Sequence, residues 1–99
     1  MVKLLMGWNI LPGHEREYFD FIVETFEPGL TGLGLQTTDV WYTAYGDWPQ
    51  IVTGTIAGDL ETMREVLASE GWRDLKTQLL EHVTDYQQKI IPADGGYQL

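Results

Sequence analysis

Apolar side chains recur along the chain at two spacings, one typical of strands and the other of helices. Alternation, together with β-branched and aromatic residues, predicts four strands: Val2–Ile10, Gln36–Tyr45, Gln50–Ala57 and Asp85–Ile91. Spacings of three and four predict a helix over His14–Glu27. We expect Pro28-Gly29 to end this helix, so that Gly29–Gly34 is a connecting loop.

The stretch Asp59–Val83 has the longest helical pattern, and its two apolar stripes are out of phase. Its first residue is a good N-cap, and a glutamate follows in the first turn, where negative charge suits the helix dipole. The stripes meet at Ser69–Gly71, and Ser is a common N-cap. We therefore predict two helices, Leu60–Ala68 and Glu70–Thr84, joined by a kink. The alternative is one bent helix that tolerates Gly71 at a cost of about 1 kcal/mol.

The order strand, helix, strand, strand, helix, strand is the split βαβ pattern of a ferredoxin-like fold. Right-handed crossovers place both helices on one face of a four-stranded antiparallel sheet. The chain has 99 residues and no internal linker. We therefore expect a single α+β domain over residues 1–99.

The other face of this sheet would be bare in a monomer, yet the strands offer large apolar side chains to both faces. On the first strand Met6 and Trp8 oppose Leu5. The second strand carries aromatic or apolar residues on both sides: Trp41 and Tyr45 against Val40 and Tyr42. An exposed apolar patch of that size is unusual on a soluble monomer. We therefore predict a two-fold homodimer formed through the open sheet face, the alternative being outer aromatic residues that are simply half-exposed.

The composition excludes several classes of function. The net charge of −9 argues against nucleic acids and anionic membrane surfaces as partners, because both favour Lys and Arg. The absence of Cys excludes disulfides, thiolate zinc sites and cysteine nucleophiles. The apolar start, Met1–Met6, is too short for a signal-peptide core or a membrane span, so we expect a cytoplasmic location. The aromatic content of 12% indicates rings that form a core, an interface or a ligand wall.

Three local features carry a resemblance to known proteins: Pro12-Gly13 before the first helix, Trp48-Pro49 between the second and third strands, and Leu67–Trp72 in the kinked helix. Together with the element order, they make the chain resemble the dimeric α+β barrel superfamily. That superfamily includes antibiotic-biosynthesis monooxygenase-like, heme-degrading and NIPSNAP-like small proteins. The resemblance covers nearly the whole chain, and it implies the fold and a dimer rather than a particular chemistry.

The heme-degrading branch of that superfamily can be compared with this chain position by position. Its Asn near the end of the first strand is matched by Asn9, but its Trp falls on Val66 and its heme-ligating His at about Lys76. We therefore expect neither heme nor another cofactor. His82 and Asp85 have a spacing that a metal could use, but no third ligand is near them in the sequence, so no metal site is expected.

A ligand cavity in this fold is expected between the helices and the concave face of the sheet, and the polar residues near it are the catalytic candidates. Asn9 could orient a carbonyl or an enolate, or it could bond to the turn at Leu11-Pro12. His14 could act as a general base, or it could be an exposed residue of the first helical turn. Tyr42 is a third candidate, as a group that positions a substrate.

Three further residues are candidates for ligand binding. Trp41 and Trp72 are large enough to wall a pocket for a flat ligand, although packing in the core or at an interface is the simpler interpretation. Arg73, together with Lys76 one helical turn away, could receive an anionic head group. The alternative is a solvated helix face, because acidic residues lie beside this basic pair.

Two functions fit these features, and the sequence leaves open whether the protein is an enzyme. The first is a homodimeric domain that binds a small apolar or aromatic molecule between the helices and the sheet, or no ligand at all. The alternative is a cofactor-independent monooxygenase or isomerase that acts on an aromatic or polyketide-like substrate. Convergence of Asn9, a His and a Tyr hydroxyl on one cavity would favour the enzyme. A cavity filled by core side chains would oppose it: Phe19, Trp72 and Leu75.

Overall fold

Four antiparallel strands form one sheet in the computed structural model, which describes residues 1–42 and 49–93. The strands are β1 (Val2–Ile10), β2 (Gln36–Tyr42), β3 (Ile51–Ala57) and β4 (Val83–Pro92), in the spatial order β2-β3-β1-β4. The helical elements are α1 (Glu15–Phe21), a π-helical turn (Ile22–Phe26), α2 (Glu27–Gly32), α3 (Leu60–Leu67) and α4 (Glu70–Leu79). This order and this sheet confirm the predicted ferredoxin-like α+β fold.

The core lies between the helices and one face of the sheet. Alternate residues of β1 point to this side, as the strand pattern predicted, and they are nearly fully buried: Leu4, Met6, Trp8 and Ile10. Both helical stretches add buried side chains to the same cluster: Tyr18, Phe26, Leu30, Met63, Trp72, Leu75 and Leu79. The first helical segment (residues 15–32) and the second helical segment (residues 60–79) therefore share one core.

The second helical segment consists of two helices joined by a kink, as predicted. The Asp59 carboxylate accepts a hydrogen bond from the Thr62 backbone N–H at 2.7 Å and caps α3. The Ser69 hydroxyl accepts one from the Trp72 backbone N–H at 3.2 Å and caps α4. Each cap satisfies a donor that the start of a helix leaves unpaired, so Ser69 can begin a second helix immediately after the first.

The last part of the second helical segment is shorter than predicted. Helix α4 ends at Leu79 and β4 begins at Val83, so the prediction of a helix extending to Thr84 is wrong. Val83 pairs with Ile10 at the end of β1. Pairing with a central strand outweighs the helical periodicity here, because the last residues of β1 would otherwise lack a backbone partner on this side.

The first helical segment is longer than predicted. It continues through Pro28-Gly29 to Gly32, so the prediction that these residues end the helix and start a loop is wrong. Pro28 lies in the first turn of α2, next to the π-helical turn, where the α-helical hydrogen-bond ladder is already interrupted and a missing N–H costs little. Gly29 lets α2 approach α4 closely, because a Cβ on it would lie 2.9 Å from Leu75 Cδ2.

The open face of the sheet, away from the helices, combines apolar side chains with an ion pair. Lys3 Nζ lies 2.7 Å from Asp39 Oδ2, and the pair crosses β3 at Gly54, where a Cβ would come within 3.2 Å of both side chains. By strand register, apolar residues from three strands share this face: Leu5, Trp41 and Val52. Trp41 is 49% exposed, so a large ring is left in solvent in the isolated chain.

Some predicted features lie outside the described residues. They are the end of the second strand at Tyr45, the residues Gly46–Trp48, whose composition together with Pro49 predicts a turn, and the C-terminal tail after Ala93. Within the two described ranges, no helix is both long enough and apolar enough to cross a membrane.

Candidate functional site

A cavity lies between the first helical segment and strands β2 and β3. Its volume is about 230 Å³, which is below the roughly 300–1,000 Å³ of pockets for drug-sized ligands. Most of its wall is aromatic or aliphatic: Trp8, Tyr18, Phe19, Ile22, Phe26, Val40, Tyr42 and Ile51. The other described residues of the wall are Glu27, Thr37 and Thr53. One carboxylate, two threonine hydroxyls and two tyrosine hydroxyls therefore belong to the wall of an otherwise apolar space.

The π-helical turn brings Glu27 to this cavity. Glu27 is nine positions after Tyr18, and at roughly 100° per residue a continuous α-helix would place the two about half a turn apart. A π-helical turn accommodates one extra residue without adding rotation, which brings Glu27 back by roughly 100°. Both side chains consequently line the same cavity.

Glu27 is held by a residue of β2. The Thr37 hydroxyl donates a hydrogen bond to Glu27 Oε1 at 2.8 Å. The side chain is half-buried, and Oε2 has no hydrogen-bond partner among the described residues. One oxygen therefore positions the carboxylate, and the other can accept a bond from a ligand or interact with its charge.

Tyr18 supplies a buried hydroxyl to the same wall. The residue is 3% exposed, and its hydroxyl accepts a hydrogen bond from Trp8 Nε1–H at 2.9 Å. Burial raises the pKa of Tyr18 to about 12, the Trp8 hydrogen bond opposes this shift, and nearby Tyr42 and Glu27 add to it. The Tyr18 hydroxyl is therefore protonated at neutral pH and keeps a proton that it can donate.

Trp8 joins the cavity wall to the rest of the core through aromatic contacts. Its ring stacks on Tyr86 with the centroids 6.0 Å apart and the planes 8° from parallel. Phe26 meets it edge-on at 5.9 Å. Such pairs restrict each ring to one orientation. Trp8 and Phe26 are thus held in the wall by contacts within the core.

Tyr42 is the catalytic candidate that the fold brings to the cavity. It lines the wall and is 67% exposed, which places it on the side open to solvent. Asn9 is used elsewhere: its Oδ1 accepts a hydrogen bond from the Gln50 backbone N–H at 2.8 Å, and its Nδ2 donates to Asp85 Oδ2 at 3.0 Å. Asn9 therefore ties the ends of neighbouring chain segments together and does not reach the cavity.

His14 lies at the start of α1 and does not line the cavity. Its ring is beside that of His82, with the centroids 6.3 Å apart. His82 thus lies beside another histidine, and the Asp85 carboxylate accepts a hydrogen bond from the Asn9 side chain. Among the described residues, no group of three or more His, Cys, Asp or Glu is placed to hold a metal ion.

The three ligand-binding candidates also lie away from this cavity. Trp41 is on the open face of the sheet, Arg73 is exposed on α4, and Trp72 is 4% exposed in the core. Core packing, the simpler interpretation of Trp72, agrees with this burial. Phe19 forms part of the cavity wall, but neither Trp72 nor Leu75 fills the space. The cavity is therefore open, and of the predicted polar candidates Tyr42 lines it whereas Asn9 and His14 do not.

Sequence analysis did not identify the polar cavity residues Tyr18 and Glu27 as site candidates, nor Thr37, which binds Glu27. Tyr18 fits the apolar stripe of a helix, and in an uninterrupted α-helix Glu27 would face solvent. One signal in the sequence indicated that the helix continues beyond Pro28, because Leu30 keeps the helical spacing of the apolar residues. A helix that continues through a proline requires a local change in hydrogen bonding, and such a change rotates the residues that follow.

Solved structures share this fold over their whole length, although the sequence matches no protein-family model and no curated protein. A NIPSNAP family protein from Agrobacterium tumefaciens has a TM-score of 0.74 and 15% identity, with 99% of this chain and 97% of that chain covered. An uncharacterised NIPSNAP domain protein from Burkholderia xenovorans has a TM-score of 0.71 and 11% identity, with 98% of each chain covered. A protein proposed to be an antibiotic biosynthesis monooxygenase, from Deinococcus radiodurans, has a TM-score of 0.68 and 16% identity, with 100% and 98% covered.

The chain has the ferredoxin-like α+β fold of these proteins. This agrees with the resemblance that the sequence motifs indicated. Identities of 11% to 16% support a shared fold, whereas chemistry depends on the residues of each site. The function of this chain therefore depends on the residues of its own cavity.

Proposed function

We propose that the protein binds a small apolar or aromatic molecule in the cavity between the first helical segment and the sheet. The observation that carries this proposal is the aromatic wall of a cavity of about 230 Å³. Pockets for small molecules combine such a wall with a few polar groups that fix orientation. Glu27, Thr37 and the Tyr18 hydroxyl are groups of that kind, and they come from different elements of the fold.

Nuclear magnetic resonance titration with indole, a small neutral aromatic probe, tests this proposal. We expect chemical-shift changes centred on Thr37, Ile51 and Thr53, because these residues line the cavity. Val40→Phe should weaken binding at least about tenfold, since Val40 is a 46% exposed wall residue and a larger ring there narrows the entrance.

Val23→Phe is the matched control for this variant. Val23 is 71% exposed on the same helical segment and does not line the cavity. It should leave indole binding unchanged. Shift changes confined to the open face of the sheet, or equal weakening by both variants, would reject the cavity as the binding site.

We also propose that the protein is a homodimer joined through the open face of the sheet. Its support is the exposed Trp41 ring beside apolar neighbours, with the Lys3 and Asp39 charges already paired to each other. Light scattering should give twice the chain mass of 11.3 kDa. Trp41→Glu should give the single-chain mass, whereas Val23→Glu, on an exposed helical surface, should not. A native protein that is monomeric at micromolar concentration contradicts this proposal.

A second candidate function is a cofactor-independent monooxygenase or isomerase that acts on an aromatic or polyketide-like substrate. The specific support is a carboxylate, Glu27, in the same apolar cavity as the protonated Tyr18 hydroxyl. Such a pair could remove a proton next to a carbonyl and hydrogen-bond to the resulting enolate.

Deuterium exchange at the α-carbon of the aryl ketone α-tetralone tests the proton-transfer step that this chemistry needs. We expect the protein to accelerate exchange, and Glu27→Gln to reduce that acceleration by about 10²-fold. Glu24→Gln, one turn earlier and exposed, should retain it. Exchange no faster than in buffer would exclude this candidate for ketones of that size.

A further inference from the structure

The charge at the cavity points to the class of ligand that the proposed binding site takes. Glu27 is the charged residue among the described residues of the wall, and no Lys or Arg is among them. The first helical segment carries five acidic residues and one basic residue, Arg16, which is exposed and is not part of the wall. The cavity therefore lies in a negative local field within a chain of net charge −9, which favours cations over anions.

The aromatic residues of the wall reinforce this preference. Five of the lining residues carry rings: Trp8, Tyr18, Phe19, Phe26 and Tyr42. The face of an aromatic ring is negative, and an organic cation within about 6 Å of a ring centre is attracted to it. A carboxylate with one uncommitted oxygen and a wall of rings together form an environment for a positive charge that has an apolar surface.

We infer that the ligand is a small alkylammonium ion, held with its charged head near Glu27 and the aromatic wall. This inference rests on the proposed function, because it names the chemical class that the same cavity takes. A divalent metal ion is usually bound by several carboxylates or histidines, and Glu27 is the single such residue among the described residues of this wall. A head group carrying methyl groups in place of N–H groups needs few acceptors and buries its methyl groups against the rings. A volume of about 230 Å³ corresponds to roughly eight water volumes, enough for such a head group and a short tail.

Choline and its neutral isostere 3,3-dimethylbutan-1-ol separate charge from shape, because a nitrogen in the first is a carbon in the second. Both can be titrated by nuclear magnetic resonance while the signals of Thr37, Ile51 and Thr53 are followed. We expect choline to bind about tenfold more tightly than the alcohol. Raising the salt concentration should weaken choline binding and leave the alcohol unaffected.

Glu27→Gln tests the named carboxylate and keeps an acceptor for the Thr37 hydroxyl. It should reduce choline affinity to about that of the alcohol, without changing the affinity for the alcohol. Glu24→Gln removes the same charge from an exposed position outside the wall and should have little effect.

Equal binding of choline and the alcohol, or tighter binding of the alcohol, would overturn the cation inference and leave the apolar cavity proposal intact. A preference for choline that survives Glu27→Gln would also overturn it, because the charge would then be recognised elsewhere. If choline, the alcohol and indole all fail to shift the cavity signals, the proposed function fails together with this inference.

Discussion

The two helical segments lie on the same face of the sheet but differ in how they are capped and packed. The second segment is capped twice, by Asp59 and Ser69, and it buries four side chains in the core: Met63, Trp72, Leu75 and Leu79. The first segment has no side-chain cap, contains a π-helical turn, and lies over the cavity. Similar apolar spacing in the sequence therefore gives a close-packed half and an open half.

The difference indicates how a fold of this size can make room for a ligand. In the second segment the kink realigns two apolar stripes, so that both reach the core. In the first segment the π-helical turn rotates a carboxylate inward. π-helical turns occur frequently at functional sites. The irregular hydrogen bonding of such a turn is tolerated there because the turn positions a functional side chain. We therefore expect the close-packed half to contribute more to stability, and the open half carries the candidate chemistry.

Among the variants that test this comparison, Trp72→Ala should give the largest change in the free energy of unfolding. Trp72→Ala removes a side chain that is 4% exposed in the close-packed half, and we expect the free energy of unfolding to fall by about 3–5 kcal/mol. Phe19→Ala, in the cavity wall and 43% exposed, should cost about 1 kcal/mol. Urea denaturation of both variants measures the difference. Equal losses would mean that the two halves are packed alike.

Tyr18→Phe addresses the open half with a smaller effect. The substitution keeps the ring but leaves the Trp8 Nε1–H without its acceptor. A buried donor without a partner costs about 1–3 kcal/mol, and we expect a loss of that size in urea denaturation. A neutral result would mean that water reaches Trp8 through the cavity.

The same variant makes a prediction about alkaline pH. The pKa of Tyr18 is about 12 in the folded protein and about 10 when unfolded. Between these values the unfolded chain loses the proton and the folded one keeps it, so stability is full below pH 10 and falls as the pH rises towards 12. Tyr18→Phe should flatten this decline. Burial also raises the pKa of Tyr86, so Tyr86 contributes to the alkaline loss of stability in both proteins. The effect of Tyr18 is therefore the difference in this loss between the native protein and the Tyr18→Phe variant.

The fold was largely predictable because its signals are local. Alternation defined β1 to the residue, and the cap at Ser69 defined the kink. The ends at Leu79 and Gly32 were not predictable in the same way, because pairing of β4 with β1 ends one helix early and a π-helical turn carries the other past Pro28. Both depend on contacts or hydrogen bonding that a periodic pattern does not contain.

The candidate site was less predictable than the fold. A cavity between helices and sheet was expected from the topology, and Tyr42 lines the one described above. Glu27 was not, because its direction depends on the rotation produced by the π-helical turn. Asn9 was a catalytic candidate, but its side chain joins neighbouring chain segments. An amide at a strand end suits either use. Residue type alone does not separate these two uses.

Ser69→Ala should sharpen the comparison with the smallest effect. It removes the hydroxyl that accepts from the Trp72 N–H, and loss of such an N-cap typically costs about 1 kcal/mol. Thr77→Ala is the control: its hydroxyl bonds back to the Arg73 carbonyl on the exposed side of α4, where alanine is the better helix former. If the second segment supplies stability alone, Ser69→Ala lowers the urea midpoint and leaves indole affinity unchanged. A change in indole affinity would show that the kink also shapes the cavity, and the two halves would then be coupled rather than separate.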